Sequence, residues 1–313
     1  MRAVLMRLLT AIPLVFVVVS CTYFLSLASD VDPAEIILGG NATQDQIDTL
    51  RDQLGLNRPG FEQYWDWLTG LFHGDFGTSF YTGASVGKLF FAALPVTLSL
   101  TVGGLVFGLV LGVGSGVLAS VVAGTRTDRG VVMVSTVGQA APSFFVGMLI
   151  IYLFALQLGW FPATGYIPLT ESLGGWLQSI LLPSFALGLG VAAALSRQAR
   201  SSMILALQQD YTRTALSKGL SRRRVVLKHA ARNAASPVVT SVSFQVAHLL
   251  GGAIVVERLF ALPGLGSLTI DAVLRYDPSI IQAVVLFAVV VVVLVNLVVD
   301  LSYVWLNPKV RTT

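Results

Sequence analysis

The sequence predicts an all-α integral membrane protein with six transmembrane helices, and three observations lead there. Of its 313 residues, 55% are hydrophobic and only 12% charged, with a mean hydropathy of +0.78. Soluble domains carry about 25% charged residues. Six uncharged windows (8–29, 89–125, 130–170, 172–196, 233–256 and 279–299) reach the roughly 20 residues a bilayer crossing needs. Finally, the basic residues fall on one side. With the N-terminus inside, the inner segments hold Arg2, Arg7, Arg126, Arg129, Lys309, Arg311 and a basic island from Arg197 to Arg232, while only Arg51, Arg58, Lys88, Arg258 and Arg275 lie outside. The bias of Lys and Arg toward the cytoplasm then gives an N-in/C-in orientation.

Window by window, the first span contains Cys21, the single cysteine, so no intrachain disulfide or zinc cluster is expected. Val18-Val19-Ser20-Cys21 has the look of a lipoprotein signal, but the apolar run continues through Ala28, which favours a retained span over a processed one. The next segment, 30–94, carries Asp30, Asp32, Glu35, Asp45, Asp48, Asp52, Glu62, Asp66 and Asp75. Thr43 with Gln46 three residues on, then Ile47, Leu50 and Leu54, predicts a capped amphipathic helix that Gly55 ends. A second such piece carries Phe61, Tyr64, Trp65, Leu68, Leu71 and Phe72, a composition suited to a membrane interface. It covers the outer mouth or receives a substrate-carrying protein.

In the second span Gly104, Gly108, Gly112, Gly116 and Ser120 recur every fourth residue, a stripe for close helix packing. The third contains Pro142, expected to kink its helix beside Gln139 and Ser143. The fourth runs into the island, whose nine basic residues face a single acid, Asp210. Its halves read as helices broken at Gly219, a cytoplasmic helix–turn–helix suited to docking on another protein. Arg222, Arg223 and Arg224 suit anchoring to an anionic inner leaflet, worth about 1 kcal/mol each. The fifth span places Gln245 and His248 on one helix face, toward a cavity or a neighbouring helix. An apolar, turn-rich loop follows, from Glu257 through Gly266, and folds back toward the outer mouth. The sixth span, valine-rich from Ile280 to Trp305, closes the chain.

Much chemistry is missing. Gly83-Ala84-Ser85-Val86-Gly87-Lys88 falls one residue short of a phosphate-binding loop, so no ATP binds that way. No metalloprotease, serine-hydrolase or paired intramembrane carboxylate pattern occurs. His73, His229 and His248 are too scattered for a metal site, and the basic balance reflects topology and membrane lipid, not nucleic acid. The chain is expected to be no enzyme and to bind no cofactor. Energy must come from a partner.

The residues Asp210-Tyr211-Thr212-Arg213-Thr214-Ala215-Leu216-Ser217-Lys218-Gly219-Leu220 resemble the cytoplasmic loop of bacterial ABC importer permeases, the peptide-importer group in particular. Arg213-Thr214-Ala215 stands where the general motif has EAA, and Gly219 matches. Leu54-Gly55-Leu56-Asn57-Arg58-Pro59, Gly74-Asp75-Phe76-Gly77-Thr78-Ser79, Pro142-Ser143-Phe144-Phe145 and Leu259-Phe260-Ala261-Leu262-Pro263-Gly264 resemble the same group. The likeness covers essentially the whole chain and is greatest to the first permease subunit of dipeptide/oligopeptide importers.

The resemblance implies residues 1–29 as span 1, 30–94 as an extracytoplasmic helical segment, and 95–313 as a permease core with a coupling loop at 197–236. It implies a bacterial inner-membrane complex with a second homologous permease, two cytoplasmic ATPase subunits or domains that bind ATP and magnesium, and an external substrate-binding protein. Arg213, Thr214, Ala215, Lys218, Gly219 and Leu220 would contact the ATPase. Gln139, Ser143, Gln245 and His248 would line the pathway. Asp75, Phe76, Glu257, Phe260, Pro263 and Gly264 would serve the outer gate or the binding-protein contact. Haem, nickel and glutathione importers share the architecture, and a stand-alone channel or secondary transporter is the reading from another class.

Overall fold

A computed structural model describes residues 2–28, 31–39 and 41–306, and builds them as helices with no strand among the described residues. Asp30, Lys309 and Arg311 lie outside them, as do the side chains of Arg2 and Arg7. In chain order the helices are α1 (Arg2–Leu27), α2 (Pro33–Leu38), α3 (Gln44–Leu54) and α4 (Gly60–Phe72). Then come α5 (Val86–Val121), α6 (Arg126–Ala140), α7 (Ser143–Gln157) and α8 (Leu173–Leu207). The rest are α9 (Asp210–Ser217), α10 (Arg222–Leu259), α11 (Leu265–Leu274) and α12 (Pro278–Leu306). α1, α5, α8, α10 and α12 are each long and apolar enough to cross a membrane, and α6 with α7 makes a sixth only if this bent pair counts as one span.

That pair corrects the expected kink. α6 and α7 are bent by 103°, too much for one kinked helix. The ring of Pro142 disfavours helical geometry in the residue before it, and Ala141 is extended (ψ 121°). Pro142 then caps α7, so the proline ends one helix and starts another.

The chain forms two compact units, Met1–Thr97 with Pro263–Val293, and Leu98–Leu262 with Leu294–Thr313. In the second, α8 is the most enclosed element, with residues from Ser179 to Ala206 buried along it. The glycine stripe of α5 meets it backbone to backbone. A Cβ at Gly108 would stand 2.4 Å from Val191 Cγ1, at Gly112 2.5 Å from the Ala192 carbonyl, and at Gly116 2.3 Å from the Ser196 carbonyl. Gly188 of α8 returns the fit, 2.5 Å from the Gly104 carbonyl. Lipid removes the hydrophobic drive between helices, so such close packing carries the association. Ser115 adds a hydrogen bond to Ser196 Oγ (2.9 Å).

The first unit gathers Val86, Phe90, Ala93, Leu265, Ala272, Ile280 and Ala283 into one core. Here the structure adds to the expectation, because the turn-rich loop leads at Leu265 into a further helix, α11. Gly264 caps it with an extended backbone, and the Leu265 amide donates to Thr97 Oγ1 (2.8 Å). α3 begins as expected. The Thr43 amide donates to Gln46 Oε1 (2.9 Å), and Gly55 closes the helix in the left-handed region (φ 70°).

Candidate functional site

Three groups of residues carry the functional expectations, and the first is the basic island. Arg197 and Arg200 belong to α8, which continues unbroken to Leu207. The chain then turns into α9, held by the buried Thr212, whose hydroxyl donates to the Leu207 carbonyl (2.8 Å). α9 ends in a Schellman motif. The Leu220 amide returns to the Ala215 carbonyl (3.3 Å), the Gly219 amide to Leu216 (2.9 Å), and Gly219 takes φ +83°. Glycine suits this place because a Cβ is disfavoured at positive φ. Beneath the turn, Met203, Ala206, Val226, Ala230 and Ala234 form a compact core.

Arg213, Thr214, Lys218 and Gly219 are exposed on this short helix, and Leu220 is half-buried. Ala215 is only 8% exposed, which corrects its expected place in a partner contact: it packs within the chain. Tyr211 and Leu216, overlooked in the sequence, are exposed and flank the buried Thr212/Ala215 face. Their signal was available, since a short helix with two small inward residues leaves its large apolar ones outside. Among the arginines, Arg222 donates to the Val121 carbonyl (3.2 Å) at the end of α5, where a helix leaves carbonyls unpaired. Sequence reading also missed Asp128. Buried at the start of α6, it accepts from Arg200 Nε (2.5 Å) and Nη2 (2.8 Å) and from the Gly124 amide (2.8 Å). This fork–fork pair ties the α5–α6 turn to α8.

The second group converges. Gln139, Ser143, Gln245 and His248 line one cavity of about 510 Å³. The α6–α7 break sets Gln139 and Ser143 on its wall, while Gln245 and His248 enter from α10. Ala186, Gly190 and Ala194, spaced four apart on α8, supply its small-residue wall. No Asp, Glu, Lys or Arg lines it. The chamber is apolar with four hydrogen-bonding side chains, the make-up of a small-molecule site.

The third group is divided between exposed and buried positions. Asp75 is exposed and caps its own turn by accepting from the Gly77 amide (2.9 Å). Phe76 stacks on Phe90 (5.7 Å between ring centres). Pro263 is exposed and Gly264 buried. Glu257 (0% exposed) and Phe260 (2%) lie inside the chain, so burial speaks against the docked-protein contact, one of the two roles expected of them beside the outer gate. The Phe260 carbonyl accepts from the Gly165 amide (3.0 Å), and the Glu257 carbonyl from Leu262 (2.8 Å). Two further contacts escaped the sequence. Ser79 donates to Asp277 Oδ2 (2.5 Å), both buried, and Arg275 stands over the Tyr81 ring (4.4 Å). On α3, the hydrogen bond to Asp32, with the charges of Asp48 and Glu35, raises the Arg51 guanidinium above its already high ordinary pKa. No group of His, Cys, Asp and Glu able to hold a metal occurs among the described residues.

Comparison with known proteins identifies the family. Residues 104–312 match the family described as binding-protein-dependent transport system inner membrane component, and residues 1–101 match the N-terminal region of such components. A peptide transport system permease protein of Brucella abortus (strain 2308) is 38% identical over 308 residues, covering 98% of each chain. A glutathione transport system permease protein of Escherichia coli (strain K12) is 39% identical with the same coverage. Among solved structures, the MetNI methionine ABC transporter in inward-facing conformations aligns with a TM-score of 0.58 at 18% identity, over 70% of this chain and 97% of that one. At that identity the likeness speaks for the fold alone.

Proposed function

The chain belongs to the inner membrane component family of binding-protein-dependent transport systems, and from that premise we propose that it is the permease subunit of an ATP-driven importer of short peptides. The observation that carries the reading is the cavity between α6, α7, α8 and α10. A peptide presents an amide donor and a carbonyl acceptor at every residue, and Gln139, Ser143, Gln245 and His248 offer both kinds of partner. With no acid, lysine or arginine on the wall, side-chain charge is not selected there. The named relatives support the substrate class, since one carries peptides in its name and another glutathione, itself a tripeptide.

In this reading the chain lies in the bacterial inner membrane with both termini inside, beside a second homologous permease. α9 is the coupling helix. Its exposed Tyr211, Arg213, Thr214, Leu216 and Lys218 enter a groove on a cytoplasmic ATPase, and the Gly219 turn transmits ATPase closure to α8 and α10. ATP and magnesium are bound by those partners, and an external binding protein delivers solute to the 30–94 segment. Closure shifts a two-state equilibrium of the pathway by differential contact, as ligands do in general.

The test is uptake. The chain, co-expressed with a second permease, ATPases and a binding protein and reconstituted in liposomes with the ATPase face inside, is expected to accumulate labelled tripeptides, presented outside with the binding protein, only when ATP is enclosed in the lumen. Uptake of haem or nickel but not of peptides would overturn the substrate; ATP-independent flux would overturn the importer.

A further inference from the structure

The face of α4 that carries Phe61, Trp65 and Phe72 is left open by the described residues. These side chains are 65%, 53% and 84% exposed. At 100° per residue they fall within one narrow stripe, with Leu68 beside them. Phe61 and Trp65 stack along it (6.4 Å, 20° between planes). A second stripe of the same helix faces α1. The Tyr64 hydroxyl hydrogen-bonds Ser20 Oγ (2.6 Å), Tyr64 meets Tyr23 and Phe24 edge-on or tilted (5.2 Å each), and Trp67 meets Tyr23 (5.7 Å). A Cβ at Gly60 would stand 2.8 Å from Leu27 Cδ1. The remaining arc is polar, with Glu62 and Asp66 exposed and both paired to Arg58.

The α1 contacts fix the depth. Gly60 against Leu27, Tyr64 against Ser20, Tyr23 and Phe24, and Trp67 against Tyr23 seat α4 on the last two turns of the Leu9–Leu27 apolar stretch. On that stretch Phe16, Phe24 and Leu25 are 50%, 44% and 72% exposed, a surface only lipid or another spanning helix can cover. Phe24 of that surface meets Tyr64 of α4, so the aromatic stripe of α4 stands beside the end of the span, where hydrocarbon gives way to headgroups. Tryptophan and other amphipathic rings concentrate at that level, and a helix with one aromatic and one charged face lies in the interface plane.

We propose that α4 is an interfacial anchor, its Phe61–Trp65–Phe72 face immersed in the lipid headgroup region beside the first span and its Arg58–Glu62–Asp66 face turned to water. The anchor sets the height of the segment 41–85 above the bilayer, and so the level at which a delivering protein meets it. It requires only that α1 spans the membrane, and it stands or falls separately from the identity of the solute.

Site-directed spin labelling of the reconstituted transporter tests it. Cys21 is the single cysteine, so Cys21→Ala gives a clean background for Phe61→Cys, Trp65→Cys, Phe72→Cys, Glu62→Cys and Thr69→Cys. In vesicles of phosphatidylethanolamine and phosphatidylglycerol, labels at 61, 65 and 72 are expected to collide more with lipid-soluble oxygen than with a water-soluble nickel chelate, and labels at 62 and 69 the reverse. Because aromatic deletions can unsettle the helix, a second measurement keeps the sequence nearly native. The fluorescence difference between the unaltered chain and Trp65→Phe is expected to be quenched by lipids brominated near the carbonyl and spared by those brominated at the chain end. Nickel-dominated collisions at all five sites would overturn the anchor. So would labels at 61, 65 and 72 shielded from both reagents, which would mean that a protein partner covers the stripe.

Discussion

Replacing Gly116 with alanine adds one methyl group at one of the tightest points of the α5–α8 contact. Its Cβ would lie 2.3 Å from the Ser196 carbonyl oxygen, 2.9 Å from Ala199 Cβ and 3.1 Å from the Arg200 amide nitrogen, whereas ordinary contact begins at 3.4 Å. Two of these three neighbours are backbone atoms and cannot swing aside, so the helices must part by roughly 1 Å. A gap of ~0.5–1 Å forfeits a quarter to a half of each dispersion well it opens, and overpacking of this kind costs about 1–3 kcal/mol. Alanine also gains about 0.8–1.0 kcal/mol of helix propensity over glycine, which would blur the result. Gly114, two residues earlier on the same helix, removes that ambiguity, because its Cβ would meet nothing within 4 Å. Gly114→Ala collects the propensity gain without the clash. The two variants are therefore expected to differ by about 1–3 kcal/mol, with Gly116→Ala the less stable. For a unit of this size each kcal/mol moves the melting temperature by ~2–4 °C. Thermal unfolding of the detergent-solubilised protein, followed by circular dichroism, reads the gap. Equal melting temperatures for the two variants would refute the backbone-to-backbone packing.

Other perturbations have equally definite readouts. Ser79→Ala removes a buried donor from Asp277 and is expected to cost about 1–3 kcal/mol, seen as a lower unfolding midpoint; an unchanged midpoint would mean the pair does not hold the 75–85 turn. Asp128→Ala and Arg200→Ala are each expected to lower the melting temperature, with the double variant no worse than the poorer single one, because the two act as one unit. Additive losses would separate them. Ser143→Trp places an indole in the cavity of about 510 Å³ and is expected to abolish peptide uptake while ATP hydrolysis by the assembled complex persists; normal uptake would remove the cavity from the pathway.

The parts of the fold that read directly from sequence are those governed by neighbours in the chain. Thr43, Gln46 and Gly55 bound a helix through local hydrogen bonds, and Gly219 marks a turn because a single residue must take positive φ. The glycine stripe was legible because its period names a helix face, although only the structure shows α8 as the partner. α11 was hidden by the Pro263-Gly264 turn before it and by its short length, and it is held by burial against residues nearly 180 positions away. Pro142 was read as a kink because sequence alone does not show whether the helix resumes in the same direction. Ser79 with Asp277, and Asp128 with Arg200, are separated by 198 and 72 residues, so nothing local announces them. Gln139, Ser143, Gln245 and His248 were each legible as polar groups in apolar helices, but their convergence on one cavity came from the break at Pro142. Burial of Ala215, Glu257 and Phe260 was not legible, because it depends on which helix lies over each of them.

The most direct test of ATP-driven import through α9 is purification of the tagged chain in mild detergent after co-expression with candidate ATPase and permease partners, comparing the unaltered sequence with Leu216→Asp. Leu216 is 47% exposed on α9 and is not part of the core formed by Met203, Ala206, Val226, Ala230 and Ala234. The unaltered chain is expected to retain both ATPases and hydrolyse ATP, and Leu216→Asp to insert normally but purify without them. A Leu216→Asp chain that keeps its ATPases at full activity would contradict docking on α9, and an unaltered chain that purifies alone and inactive would contradict the importer itself.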